Sequence, residues 1–414
     1  MNDFNRIQRR MLELTCAQVG SSVRIRQTRH SFLFGCTAFE LSPLANHEIA
    51  GAALEQAERH ETLLHDVFNY FTLPFYWGQF EREEGKPDIP RTLRTAERLV
   101  SRGAIVKGHP LCWHTVCADW LMRYSNEGIF GRQLDRIRRE VKAFDGLIDR
   151  WDVVNEAVIM PVFDKYDNAI TRICWEKGRV EIVRSTFQAA RETNPTASLV
   201  LNDFDMSTAF ECLIEAVLEA GVQIDAIGLQ SHMHQGWWGV EKTRDVLRRF
   251  SRFGIPLHFT ETTLVSGDLM PAHIGDLNDW QVDSWPTHPE GEERQAQELT
   301  AHYSLLFNHP AVRAITWWGA NDGGWLKAPS GLLRQDDSPK PAYEALKRLV
   351  KHDWWLNETE FCVDAHRRVG FEAAPGSYEV QIDGRWVPFE IAEGEAALKT
   401  ISLNPWQSSL PPSG

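Results

Sequence analysis

No stretch of this 414-residue chain approaches the roughly 20 consecutive apolar residues that a membrane-spanning helix needs. A membrane is therefore not expected as a partner. Positive charge is also in short supply: 44 Lys and Arg stand against 57 Asp and Glu, a formal net charge of −13. A phosphate backbone would be repelled, which argues against nucleic acid. Cysteine is scattered, with seven positions (16, 36, 112, 117, 174, 212 and 362). Neither a disulfide framework nor a zinc site is expected, since the number is odd and Cys112 and Cys117 lack a second pair. Residues 1–14, MNDFNRIQRRMLEL, have no apolar core behind their basic residues. No secretory leader is expected within this chain, which implies a cytoplasmic location, or secretion if a leader was removed.

What remains is ordinary for a globular protein, 43% hydrophobic and 24% charged, except for 16 tryptophans. Many will be core, yet flat apolar rings in surplus suit a protein that stacks on sugar rings. Eight β-rich runs are expected at 32–39, 67–75, 104–111, 151–155, 198–203, 224–230, 255–261 and 314–319. Helical stretches fit between them. In RQLDRIRREVKAFDGLIDR, Leu134, Ile137, Val141, Phe144 and Ile148 form one apolar stripe. TAFECLIEAVLEAG closes on Gly221, where a left-handed cap is expected. Eight strands each followed by a helix predict an α/β fold, a (β/α)8 TIM barrel over residues 31–352. A doubly wound sheet also alternates, but no Gly-rich phosphate turn follows the first strand. Residues 1–30 read as a partly strand-like extension. Residues 355–414 read as a small β-rich C-terminal module with a hairpin at Asp383-Gly384 and a Pro/Ser tail. The Trp354-Trp355 pair at its start and Trp386 are expected to be structural.

The polar residues collect at strand ends. Strand 3 closes on His109, strand 4 on Asn155 and Glu156, strand 5 on Asn202 and Asp203, strand 6 on Gln230 and His232, and strand 7 on Glu261. A single carboxylate there is often a helix cap or an ion-pair partner. Several such ends together predict a site on the C-terminal face of the barrel. Glu156 and Glu261, three strands apart, face each other across the mouth. Their carboxyl groups are expected at roughly 5 Å, the spacing of a retaining glycosidase. Like-charge repulsion then keeps one protonated as acid while the other stays ionised as nucleophile.

These residues lie in motifs that resemble glycoside hydrolase family 10, the endo-β-1,4-xylanase family. The matching stretches are VKGHPLCWH (106–114), WDVVNEAV (151–158), LNDFD (201–205), IGLQSHMH (227–234), IPLHFTE (255–261) and ITWWGANDGGW (315–325). The resemblance implies that Glu156 is the general acid/base and Glu261 the nucleophile. It implies that Asn155 bonds the sugar 2-hydroxyl, and that His109, Trp113, Gln230, His232, Trp318 and Trp325 line the sugar site. The substrate it implies is a xylan-derived poly- or oligosaccharide, with neither cofactor nor metal.

The chain also departs from the family pattern. At the end of strand 2, Leu73, Pro74 and Tyr76 stand where members carry a Glu-Asn pair and a Lys that grip sugar hydroxyls. Each lost hydrogen bond weakens the hold on xylose by about 1 kcal/mol. Tyr76, Trp77, Trp280 and Trp285 are candidates to stack instead, though the last two equally suit packing of their loop. Thr263 replaces an Asp that usually holds the neighbouring His, which leaves the tautomer of His232 open. Three other readings stay open: a β-glycosidase with a non-xylan substrate, a non-catalytic carbohydrate-binding barrel, and a metal hydrolase using His109, His114, His232 and His234. Against the last, alternate strand residues point to opposite sides.

Overall fold

In the computed structural model, which describes residues 4–395 and 397–401, the eight β-runs close into a parallel barrel. Its strands are β1 (Leu33–Thr37), β2 (Tyr70–Pro74), β3 (Ile105–His109), β4 (Arg150–Asn155), β5 (Ser198–Asp203), β6 (Ala226–Met233), β7 (Leu257–Leu264) and β8 (Val312–Trp317). Neighbours in sequence are neighbours in the sheet, and β8 pairs with β1 to close the ring. Each strand is almost wholly buried, because side chains fill the barrel on one face and helices cover the other. No helix among the described residues is long and apolar enough to cross a membrane.

Two strands run further than expected. β6 and β7 continue past Gln230 and Glu261, with Gln230 paired to Glu261 and His232 to Thr263. Four polar residues therefore sit on paired strand backbone, which fixes their direction better than a loop would. The helix after β3 is shorter than its stripe, spanning Asn126–Ala143. Phe144 caps it, and Ile148 lies beyond it, although both are fully buried. Its buried face is not purely apolar: Gln133, Arg136 and Glu140 are enclosed, while Leu134 is only half-buried. Arg136 bonds the Leu111 carbonyl at 2.5 Å, the Phe75 carbonyl, and Glu140 at 3.0 Å. Charged side chains are buried here because each is paired and serves the turns that follow β2 and β3. The helix Thr208–Glu219 ends as its sequence suggests, with Gly221 at φ +79°.

A second compact unit comprises, among the described residues, those up to 32, 308–310 and those from 347 on. Gln8–Leu14 lies between Arg368–Ala373 and Leu398–Ile401 in a three-stranded sheet. Ser22–His30 lies between Thr359–Cys362 and Gly376–Ile382, with Arg385–Ile391 at the edge of that four-stranded sheet. Leu12, Ile25, Phe371, Tyr378 and Val380 form part of its core. The hairpin turns at Asp383 and Gly384, both at positive φ, as a tight two-residue turn requires. Trp386 lies under the Arg26 guanidinium at 4.0 Å, Trp355 packs edge-on against His30, and Trp354 is buried. The Pro/Ser tail lies outside the described residues.

Candidate active site

β4 and β7 each deliver one glutamate to the C-terminal end of the barrel. Glu156 follows the last residue of β4 with φ +59°, the left-handed region that a side chain enters at a cost of roughly 1 kcal/mol. Its N–H donates to the Asn202 carbonyl at 2.8 Å, which holds that turn against β5. Glu261 lies within β7, 5% exposed.

Asn202 links the two. Its Nδ2 donates to Glu261 Oε1 at 2.9 Å and to Asn155 Oδ1 at 2.7 Å. Asn155 Nδ2 in turn donates to Glu156 Oε1 at 3.3 Å. Gln230 Nε2 reaches both Asn155 Oδ1 (3.1 Å) and Glu156 Oε1 (3.3 Å). The other oxygen of Glu156 accepts from Trp113 Nε1 at 2.8 Å. Asn202 can sit so close only because Gly228 stands opposite: a Cβ there would come within 2.5 Å of Asn202 Oδ1. Beside Glu261, His232 Nε2 lies 3.1 Å from Oε2, and His109 Nε2 lies 3.9 Å from Oε1. His232 Nδ1 meets the Thr263 hydroxyl at 3.2 Å, so a neutral group holds the far side of that ring.

Support for His109 comes from within the barrel. Its Nδ1 is 2.7 Å from Asp152 Oδ2, which also accepts from Lys107 Nζ at 2.6 Å. Both Lys107 and Asp152 are buried, at 1% and 0% exposure, a placement tolerable only as a hydrogen-bonded set.

The two glutamates are driven in opposite directions. Burial raises Glu156 from its ordinary 4.5 to about 8, with the charge of Glu261 next in size. Burial also pushes Glu261 up, but the His232 hydrogen bond and the electrostatic influence of His109, His232 and Lys107 outweigh it, and its value is lowered. One carboxyl group is thus a proton donor near neutral pH and the other an anion. That pairing suits displacement at a glycosidic carbon.

Aromatic rings surround the pair. Trp318 lies edge-on to His109 at 5.0 Å, and Trp325 lies 4.5 Å from the His232 ring. Tyr76 contacts the rings of His109 (5.7 Å) and Trp113 (5.5 Å). Tyr76, Trp113, Trp318 and Trp325 are half-buried, leaving part of each ring open.

Trp77 does not join them. It is 4% exposed, donates to Glu81 at 3.0 Å and lies under the Arg136 guanidinium, so its stacking capacity is spent inside the fold. Leu73 is fully enclosed, leaving Pro74 and Tyr76 as the partly open positions at that strand end. Trp280 and Trp285 pack edge-on against each other, and Trp285 against buried His234, which is loop packing. His114 and His234 are buried against Phe163 and Trp325. Among the described residues, no group of three or more His, Cys, Asp or Glu could hold a metal ion. Sequence reading passed over Asn202 as a linker, and over Lys107 and Asp152 altogether. Their signal was a charge in the middle of an otherwise apolar strand.

The family model described as glycosyl hydrolase family 10 matches residues 43–349. Endo-1,4-beta-xylanase B of Thermotoga neapolitana is 26% identical over 318 residues, covering 72% of this chain and 85% of that protein. Beta-1,4-xylanase of Dictyoglomus thermophilum is 27% identical over 290 residues, covering 67% and 78%. A family 10 structure from Paenibacillus barcinonensis superposes with a TM-score of 0.63 at 24% identity, covering 77% of this chain and 94% of the other. Xylanase 10B from Thermotoga maritima superposes with 0.62 at 23%, covering 78% and 96%. At these identities the structural likeness speaks to the fold.

Proposed function

Because the chain belongs to glycosyl hydrolase family 10, we propose that it cleaves β-1,4-linked xylose chains by double displacement. Glu261 attacks the anomeric carbon and Glu156 protonates the departing oxygen. A water deprotonated by Glu156 then releases the sugar with its configuration retained. Asn155 donates to the sugar 2-hydroxyl, a contact that tightens as positive charge develops on the ring. Xylanase activity is what the names of the similar proteins record, and it comes to this chain by that likeness.

The observation that carries the reading is that two enclosed glutamates share one hydrogen-bond network through Asn155 and Asn202 and are driven to titrate in opposite directions. A binding barrel would gain nothing from a proton donor beside an anion. The test compares leaving groups. Glu261→Ala should abolish turnover of every xyloside, whereas Glu156→Ala should spare kcat/KM, which reports the first step, on substrates whose leaving group needs no proton. With a poorly acidic leaving group the Glu156→Ala loss should be about 10²–10⁴-fold. Equal losses for good and poor leaving groups would remove Glu156 from the acid/base role.

A different β-glycoside is favoured by one feature. Tyr76 presents an aromatic ring to His109 and Trp113, where a lysine and two hydrogen-bonding neighbours would grip hydroxyls. A product profile across xylo-oligosaccharides, xylan, β-glucan and aryl glycosides separates the two substrates.

A further inference from the structure

The loops that leave the two glutamate-bearing strands are joined to one another. Lys165, on the segment after β4, has its Nζ 2.6 Å from Asp276 Oδ2 and 2.6 Å from Asp279 Oδ1, both on the segment after β7. That segment, residues 265–288, carries no strand and only one short helical turn, Leu277–Asp279. Loops of such length in compact domains are uncommon and usually functional. Gln235, on the segment after β6, donates to the carbonyls of Pro271 (3.0 Å) and Ile274 (2.8 Å). Trp325, after β8, donates to Asn278 at 3.3 Å. The β7 loop is therefore fastened from three neighbours.

The order of the barrel gives this clasp its meaning. Between β4 and β7 the ring has two arcs, one through β5 and β6, the other through β8, β1, β2 and β3. A polymer lying between Glu156 and Glu261 must cross both. On the second arc stand His109, Tyr76 and Trp318. On the first, Lys165 and Gln235 tie the β7 loop to the segments after β4 and β6. Val162, Tyr166 and Phe204 on the β4 and β5 segments are 51%, 48% and 49% exposed. The leaving group belongs on this side, because Leu73, Pro74 and Tyr76, which the resemblance places against the retained sugar, stand at the end of β2 on the other arc.

We propose that the Lys165–Asp276/Asp279 clasp closes the leaving-group side of the cleft, directing the enzyme to short xylo-oligosaccharides and compact β-xylosides rather than internal bonds of xylan. The inference rests on the proposed glycosidase activity and sharpens its substrate. The clasp is partly exposed, with the side chains of Lys165, Asp276 and Asp279 at 39%, 41% and 62%, so molar salt should loosen it.

The test is the ratio of kcat/KM on xylan to that on xylotriose, for the wild type, Lys165→Ala and Lys165→Arg, with an aryl β-xylobioside to report an intact site. The wild type should favour xylotriose. Lys165→Ala should raise the ratio about tenfold while keeping its aryl activity, since breaking the clasp opens the polymer's exit. Lys165→Arg should stay near the wild type, and 1 M salt should move the wild type towards the alanine variant. A wild type that cuts xylan internally as well as it cuts xylotriose overturns the proposal, as does an unchanged ratio in Lys165→Ala. Wild-type protein inactive on every xyloside overturns the glycosidase reading as well.

Discussion

The Asn202 amide nitrogen lies 2.9 Å from Glu261 Oε1, and from the same atom it reaches Asn155 at 2.7 Å. One side chain thereby ties the anion of β7 to the asparagine that leads into the acid of β4. Removing it frees both walls. Asn202→Ala should lower kcat on an aryl xyloside by about 10–100-fold, the worth of one hydrogen bond to a charged group. Steady-state kinetics beside a thermal melt checks this; an unchanged kcat would make Asn202 a bystander.

Gly228 makes room for that amide. A methyl there would come within 2.5 Å of Asn202 Oδ1 and 3.0 Å of its Cα, which is backbone and cannot swing away. Gly228→Ala should destabilise the fold by about 1–3 kcal/mol and reduce activity together with it. Urea unfolding measures the first and initial rates the second.

The pH profile follows from the two opposed glutamates. Turnover needs Glu156 protonated, so activity should fall as pH rises through about 8. It also needs Glu261 ionised, so activity should fall on the acid side only below the ordinary carboxylate range. The kcat/KM profile should be a broad bell, and Glu156→Gln should lose its alkaline limb.

Glu156 should also weaken the fold. Its folded value of about 8 lies above its ordinary 4.5, so the folded state binds this proton more tightly. Stability from this group is present below pH 4.5 and is lost as pH rises towards 8. Glu156→Gln should therefore be more stable than the wild type at pH 8, by on the order of 2 kcal/mol after allowing for partial exposure. Near pH 4 the two should match. Chemical unfolding at both pH values decides it.

Much of this was legible in the sequence, for identifiable reasons. Glu156 stood out because a carboxylate closes the otherwise apolar run WDVVN, and Glu261 because it closes IPLHFT. Period and hydropathy, however, rank residues one at a time. Lys107 and Asp152 drew no reading because their pairing joins two strands. Gln133, Arg136 and Glu140 fall outside the apolar stripe, yet Gln133 and Arg136 bond the turns after β2 and β3, and Glu140 holds Arg136. Trp77 looked like a sugar platform because sequence does not show that Arg136 already covers its ring. The ends of β6 and β7 were placed short because polar residues inside a strand resemble its end. The clasp from Lys165 to Asp276 and Asp279 left no sequence signal at all, since exposed charges occur everywhere.

The most direct measurement is trapping of the covalent intermediate. The protein is incubated with a 2-deoxy-2-fluoro β-xylobioside bearing an activated leaving group, digested, and mapped by mass spectrometry. One added glycosyl unit on the peptide containing Glu261, absent in Glu261→Ala, is the predicted result. A glycosyl unit on any other residue, or steady hydrolysis with no adduct, would contradict the assignment.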